Sequence, residues 1–275
     1  MPDAITLIVP VRTLSAQPVR VVQDWSNWLK STKREHTILV VDDGIGITDE
    51  FKNPFVKLLR HETPQGFGAC LRTALPEATH PLVSYVTSDY PYSPASMAKM
   101  LERFEKPVDV YGTMKPVDAV SGCRGGSPVP PVWKAIGRVY RIGVRVALGY
   151  KPEPLPGWLG FRNHFRSWWL WLLMGVPLVD VTSGLKVFRR ELFDRFPIQS
   201  DGDFAHAEII AKLTFMNGLI AEEPLPASTA AIPVTEFSDF GTVFRNAIFA
   251  KPKVAPVADV VDVSEWIDSS QKCEL

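Results

Sequence analysis

Several short stretches gather side chains able to act on an anionic, oxygen-rich ligand. Asp42-Asp43-Gly44 closes the apolar run Thr37-Ile38-Leu39-Val40-Val41, and Thr87-Ser88-Asp89 closes the run Leu82-Val83-Ser84-Tyr85-Val86. A β-rich apolar run that stops at an acid reads as a buried strand with the acid at its carboxyl end, where ligands of open α/β sheets bind. Carboxylates there can hold a hard divalent cation or a sugar; the alternative is that each shapes its turn or caps the next helix. Gly66-Phe67-Gly68-Ala69 opens a helical pattern, and such a glycine pair lets backbone N–H groups approach a phosphate or a sugar, although any tight turn suits it equally. Asp180-Val181-Thr182-Ser183-Gly184 is a polar turn before the short strand Leu185 to Arg189.

Positive charge is also grouped. Between Arg124 and Arg166, Arg124, Lys134, Arg138, Arg141, Arg145, Lys151, Arg162 and Arg166 face only Glu153. Arg138, Arg141 and Arg145 recur at helical spacing without interleaved acids, which favours an anionic partner over an ordinary solvated face. Downstream, Phe165 to Met174 carries Trp168, Trp169 and Trp171 and is apolar nearly all round, a pattern that suits either a core helix or a membrane interface.

The elements that must position these residues follow from periodicity. Ile5 to Val9 is a first buried strand, and Val19, Val22, Trp25 and Leu29 mark a helix; Thr37 to Val41 is the second strand and Val56 to Leu59 a weaker third. A helix runs from the glycine pair to about Ala78 and another from Ser96 to Phe104, and Val108 to Tyr111 and Ala119 to Arg124 read as two further strands of the same sheet. After Arg190 come a helix, then Ala205 to Asn217 with Glu208 and Lys212 four apart, and a last strand from Leu219 to Glu223. Strands alternating with helices predict a mostly parallel open α/β sheet, in a domain over 1–232 with a basic insertion at about 124–166. Residues 233–275 are expected to form an extension, loosely held over its last twenty or so residues.

The 275 residues, 46% hydrophobic and 22% charged, suit a globular protein, and equal numbers of basic and acidic residues argue against nucleic acid as a partner. Cys70, Cys123 and Cys273 have no metal-ligand spacing and point to a reducing compartment. No signal-peptide pattern opens the sequence, and the longest apolar run is too short for a bilayer. The expected location is cytoplasmic, with the Trp168 helix offering peripheral contact on the inner face of a membrane.

The order of these pieces resembles glycosyltransferase family 2, and within it the polyprenyl-phosphate sugar transferases typified by dolichol-phosphate mannose synthase. Asp180 to Arg190 is similar to the family's D-x-T-S-G-F-R-x-F-R-R, Ile220-Ala221-Glu222-Glu223-Pro224 to its E-V-P strand, Val40 to Gly44 to V-D-D-G-S, Gly66 to Thr73 to G-x-G-A-A-L-R-T, and Gly122-Cys123-Arg124 to G-S-R. The resemblance implies a GT-A fold and transfer of a sugar, with inversion and with Mg²⁺ or Mn²⁺, from a nucleotide-diphosphate donor to a phosphate or hydroxyl acceptor, a polyprenyl phosphate foremost. It implies that Pro10, Asp42, Asp43, Gly66, Gly68 and Ser88 meet the nucleotide-sugar, that Asp89 holds the metal, that Asp89 and Asp180 serve catalysis, and that Arg124, Arg138 and Arg189 hold the acceptor phosphate. Departures fall at the same places. The family's P-x-Y-N-E is Pro10-Val11-Arg12-Thr13-Leu14 here, and its D-A-D is Thr87-Ser88-Asp89, which keeps one carboxylate of the pair. Such losses leave a second expectation, a catalytically weak or inactive GT-A domain that binds a nucleotide-sugar or a partner.

Overall fold

The computed structural model describes residues 4–13, 18–47, 51, 53–88, 92–110, 113–124, 178, 180–226 and 239–250. In chain order the strands are β1 (Ile5–Val11), β2 (His36–Asp43), β3 (Val56–His61), β4 (Leu82–Val86), β5 (Val108–Val110), β6 (Thr113–Lys115), β7 (Ala119–Arg124), β8 (Leu185–Arg189) and β9 (Ile220–Leu225). The helices are α1 (Pro18–Ser31), α2 (Phe67–Ala74), α3 (Pro94–Glu105), α4 (Ala205–Phe215) and α5 (Phe240–Arg245). Seven strands form one sheet in the order β3-β2-β1-β4-β8-β7-β9. It is mostly parallel, as expected; β8 alone among its strands runs antiparallel to both neighbours.

β1 lies between two parallel partners and is buried along its whole length, which is why its sequence is apolar without alternation. Successive side chains enter opposite faces. Leu7 and Val9 pack with Val22, Trp25 and Leu29 of α1 and Met97 and Met100 of α3, whereas Ile8 packs with Phe67 and Leu71 of α2 and Ile209 and Ile210 of α4. The chain leaves β1 for β2 and β3 on one side and reaches β4 on the other, so the topological switch point falls between the carboxyl ends of β1 and β4.

Several expected elements differ. Val108–Val110 does not join the large sheet; β5 pairs with β6 in a separate two-stranded ribbon. α2 stops at Ala74 and tightens into a 3₁₀ turn over Leu75–Glu77, because Pro76 cannot donate the bond that a continuing α-helix needs. Arg190–Asp194 is likewise 3₁₀. β9 runs on through Pro224 to Leu225, which its edge position permits, since β7 is its neighbour on one side alone. Residues 239–250, the described part of the C-terminal extension, are fastened to the domain. Val243 is buried in the α2–α4 core, Phe240 meets Phe204 edge-on at 5.4 Å, and the Ala250 N–H donates to the Arg195 carbonyl at 2.8 Å. Among the described residues no helix is long and apolar enough to cross a membrane.

Candidate active site

The carboxyl ends of β1, β2, β4 and β7 lie along one edge of the sheet and bring most of the expected site residues together. At the end of β2 both acids turn inward. Asp42 accepts hydrogen bonds from the N–H groups of Ile45 at 2.9 Å and Gly46 at 3.3 Å through one oxygen and from Ile47 at 2.8 Å through the other. It therefore folds the turn in which Gly44 and Gly46 adopt φ of 73° and 76°. Asp43 accepts from the N–H groups of Gln65 at 2.8 Å and Gly66 at 2.9 Å and stands 2.8 Å from His61 Nδ1, whose Nε2 meets Thr73 Oγ1 at 2.8 Å. Burial pushes the Asp43 pKa up, but the Gln65 bond, His61 and the Gly66 bond outweigh it and hold the carboxyl below the usual range. These bonds tie β2 to the loop that leads into α2. They leave Asp43 only 3% exposed, so its described role is to shape the loop expected to border a nucleotide.

Gly66 and Gly68 have a close neighbour other than the expected nucleotide, namely the chain itself. A Cβ on Gly66 would come within 2.5 Å of the Asp201 carbonyl oxygen, and one on Gly68 within 2.0 Å of that of Ser200. The N–H of Gly68 donates to the Asp201 carbonyl at 2.8 Å, so the first turn of α2 is capped by residues 200–202. That segment is held from all sides. Glu208 accepts from the N–H groups of Gln199 and Ser200, each at 2.8 Å, Asp239 accepts from Ser200 Oγ at 2.8 Å and the Gly202 N–H at 2.9 Å, and Arg72 donates to the Ser200 carbonyl at 2.7 Å and pairs with Asp201. Its end, Asp203, takes a 2.6 Å ion pair from Arg12, which follows β1.

At the end of β4, the Thr87 N–H donates to the Gly184 carbonyl at 3.0 Å, Ser88 Oγ donates to the Pro10 carbonyl at 3.2 Å, and the Gly184 N–H donates to the Tyr92 hydroxyl at 2.6 Å. Glycine is required at 184 because a Cβ there would stand 2.0 Å from Thr87 Oγ1. Ser88 and Tyr92 are thus fixed on either side of the sequence that holds Asp89, which itself lies outside the described residues.

The turn that receives Thr87 is built on a buried ion pair. Arg124 grips Asp180 in two parallel bonds, Nε to Oδ2 and Nη2 to Oδ1, each 2.8 Å, and adds a 2.8 Å bond to Thr182 Oγ1. Both partners are 2% exposed. Burial would raise the Asp180 pKa; Arg124 overrides it and keeps the carboxylate ionised. Arg124, expected to hold an acceptor phosphate, and Asp180, expected in catalysis, are thus brought together as a buried pair. Beneath them Lys186, fully buried, donates to the carbonyls of Val181, at 3.0 Å, and Ser183. Arg189 is not brought to this edge. It pairs in register with Leu82 at the amino end of β4, donates to the Val117 carbonyl at 3.1 Å and lies 5.1 Å over the Phe104 ring. Arg138 and the Trp168 stretch lie outside the described residues.

Sequence reasoning passed over His61, Tyr92, Lys186 and Asp203. His61 ends a strand beside an acid-bearing one and is open to the same strand-end argument as Asp43, and Lys186 lies within the Asp180 to Arg190 stretch and bonds to its own turn; Tyr92 and Asp203 carry no local signal, because their partners are remote in sequence.

The glycosyl transferase family 2 model matches residues 20–124, from α1 to the end of β7. Among solved structures, the fold is similar to that of glucosyl-3-phosphoglycerate synthase from Mycobacterium tuberculosis. Its complex with Mn²⁺, UDP and phosphoglyceric acid aligns with a TM-score of 0.53 at 15% identity over 88% of this chain and 75% of that one. Its complex with phosphoglyceric acid alone gives 0.56 at 16% over 88% and 76%, and that with Mn²⁺, UDP-glucose and phosphoglyceric acid 0.53 at 17% over 88% and 76%. No curated protein matches the sequence. The seven-stranded sheet and this structural likeness identify the architecture as a GT-A fold.

Proposed function

We propose that this chain transfers a sugar, with inversion, from a nucleotide-diphosphate donor to an acceptor that carries a phosphate, a polyprenyl phosphate foremost. The observation that supports this most directly is the fixing of Ser88 and Tyr92 at the β1–β4 switch point, between the Pro10 carbonyl and the turn clamped by Arg124 and Asp180. This is where open α/β sheets bind nucleotides, and Asp89 falls between those two anchors in the sequence. A phosphate acceptor is already an anion and needs little or no general base, which is compatible with an Asp180 committed to Arg124.

A donor diphosphate needs positive charge as the glycosidic bond breaks, and the structural neighbours hold Mn²⁺ or Mg²⁺ with UDP. The described carboxylates of the site do not suit such an ion. Asp42 and Asp43 are filled by backbone N–H groups and Asp180 by Arg124. Asp43, His61 and Cys70 do bring potential ligand atoms within 4.8 Å of one another. Burial and Asp43 push the Cys70 thiol well up, however, away from the thiolate that binds metals. A divalent cation would therefore rest on Asp89 and on diphosphate oxygens.

The inward commitment of these acids favours one second reading, a GT-A domain that binds the donor without turning it over. Nucleotide release from a panel of UDP- and GDP-sugars, with Mn²⁺ or Mg²⁺ and either phosphoglycerate or polyprenyl phosphate, separates the two. Release that depends on acceptor is expected. Binding without release under every combination would replace the enzyme reading with the binding one.

A further inference from the structure

We infer that Arg12 is the protein's own cation for the donor diphosphate, held in place by Asp203 until the nucleotide arrives. The inference rests on the nucleotide-sugar reading of the site. Arg12 directly follows β1 at the switch point, two residues beyond the carbonyl that anchors Ser88. Its guanidinium lies 5.8 Å from the centroid of the Phe67 ring, at the first residue of α2, and its positive charge reaches Cys70 in the next turn. Its side chain is 29% exposed, against 2% for Arg124. A ligand in the crevice can therefore meet Arg12 without dismantling the buried clamp.

The surrounding chemistry points the same way. The described acids that could carry a metal are spent on the protein, so less of the diphosphate charge can be met by a carboxylate-held ion. Pro10 to Leu14, at the end of β1, carries one guanidinium and no acid. That planar fork matches phosphate oxygens in two parallel bonds, which a lysine cannot do. Asp203 is a suitable placeholder. It sits at the end of the segment held by Glu208, Asp239 and Arg72, so it stays put while the arginine side chain swings. A diphosphate, with more than one negative charge, competes well with the Asp203 carboxylate for the same guanidinium.

Calorimetric titration with UDP and GDP, once in EDTA and once with Mn²⁺, tests this directly. The unaltered protein is expected to bind one of them in EDTA. Arg12→Gln should weaken that binding about tenfold or more, the size of one charge-assisted pair, and Arg12→Lys should fall between. Asp203→Asn should tighten it, because the guanidinium is released from its counter-ion. The opposite signs keep a general loss of folding from imitating the result, and melting curves of each variant confirm the fold. Binding that needs Mn²⁺ throughout, or Arg12→Gln equal to the parent in EDTA, overturns the role of Arg12 and leaves the glycosyltransferase reading standing. An unchanged Asp203→Asn overturns the placeholder. No binding of either nucleotide even with Mn²⁺ brings both readings down.

Discussion

Lys186 carries the site's most perturbed ammonium. It is fully buried beneath the 180–184 turn, with Asp180, Arg124 and Glu222 as the charged groups around it and the Tyr85 ring 5.7 Å away. Burial disfavours the charged form; the attraction of Asp180 and Glu222 and the repulsion of Arg124 leave its pKa lowered to about 7. Above that pH the folded protein releases this proton, while the unfolded chain keeps it up to the ordinary lysine range. The unfolded state therefore binds more protons, and stability rises with pH by about 1.4 kcal/mol per unit from pH 7 upward. A neutral amine still has two N–H groups for the Val181 and Ser183 carbonyls, so the turn keeps its bonds in both forms. Melting temperature should climb between pH 6.5 and 8.5, and Lys186→Met should remove the climb whatever it does to the mean. A variant with the parent's slope would assign the titration to another group.

At the scale of elements, the parallel strands were the most legible part of the chain. β1, β2 and β4 are buried on both faces, which writes an unbroken apolar run into the sequence, and the Val22, Trp25 and Leu29 repeat fixed the inner face of α1. Direction and partnership were not legible. Nothing in Leu185 to Arg189 says that β8 runs antiparallel between β4 and β7, nor in Val108 to Val110 that it stays out of the sheet and pairs with Thr113 to Lys115, because strand partnership depends on register and on chain outside each run. The site divides the same way. That acids end β2 and precede β8 could be read, as could the turn-shaping alternative that Asp42 follows; that Asp43 accepts from the Gln65 and Gly66 N–H groups and that Asp180 pairs with Arg124 could not. The glycine pair is the sharpest case, since the same motif serves a ligand or a packed segment. Gly68→Ala decides how tight that packing is. Helix propensity favours alanine by about 1 kcal/mol, but the added methyl would stand 2.0 Å from the Ser200 carbonyl oxygen, which also accepts from Arg72. Overpacking of this kind costs about 1–3 kcal/mol and should win. Urea unfolding should therefore show a net loss of up to about 2 kcal/mol, and a midpoint at or above the parent's would mean that residues 200–202 yield freely.

At the scale of the whole molecule, the stretch that carries the family match cannot close its own sheet. It ends with β7, whose partners are β8 and β9, both supplied after residue 180. β4 meets β7 only through β8, which inserts Val187 opposite Ser84 on one side and opposite Val120 on the other. One face of the sheet is covered largely by the same late residues: Phe188, Phe196, Phe204, Ile209, Ile210 and Leu213 pack on Ile8, Val83 and Tyr85. Chain ending at Arg124 would leave β7 unpaired, one edge of β4 open and the Phe67–Tyr85 face exposed, a hydrophobic surface too large for a stable monomer. Long-range pairing of this kind must also wait for its partner during synthesis. A fragment of residues 1–124 is thus expected to lack a cooperative urea transition and near-ultraviolet circular dichroism, whereas residues 1–250, which keep β8, β9, α4 and the docked α5, should unfold in a single step. A cooperative transition in the shorter fragment would show that the β3-β2-β1-β4 half is an independent folding unit, and that β8 joins a sheet already formed.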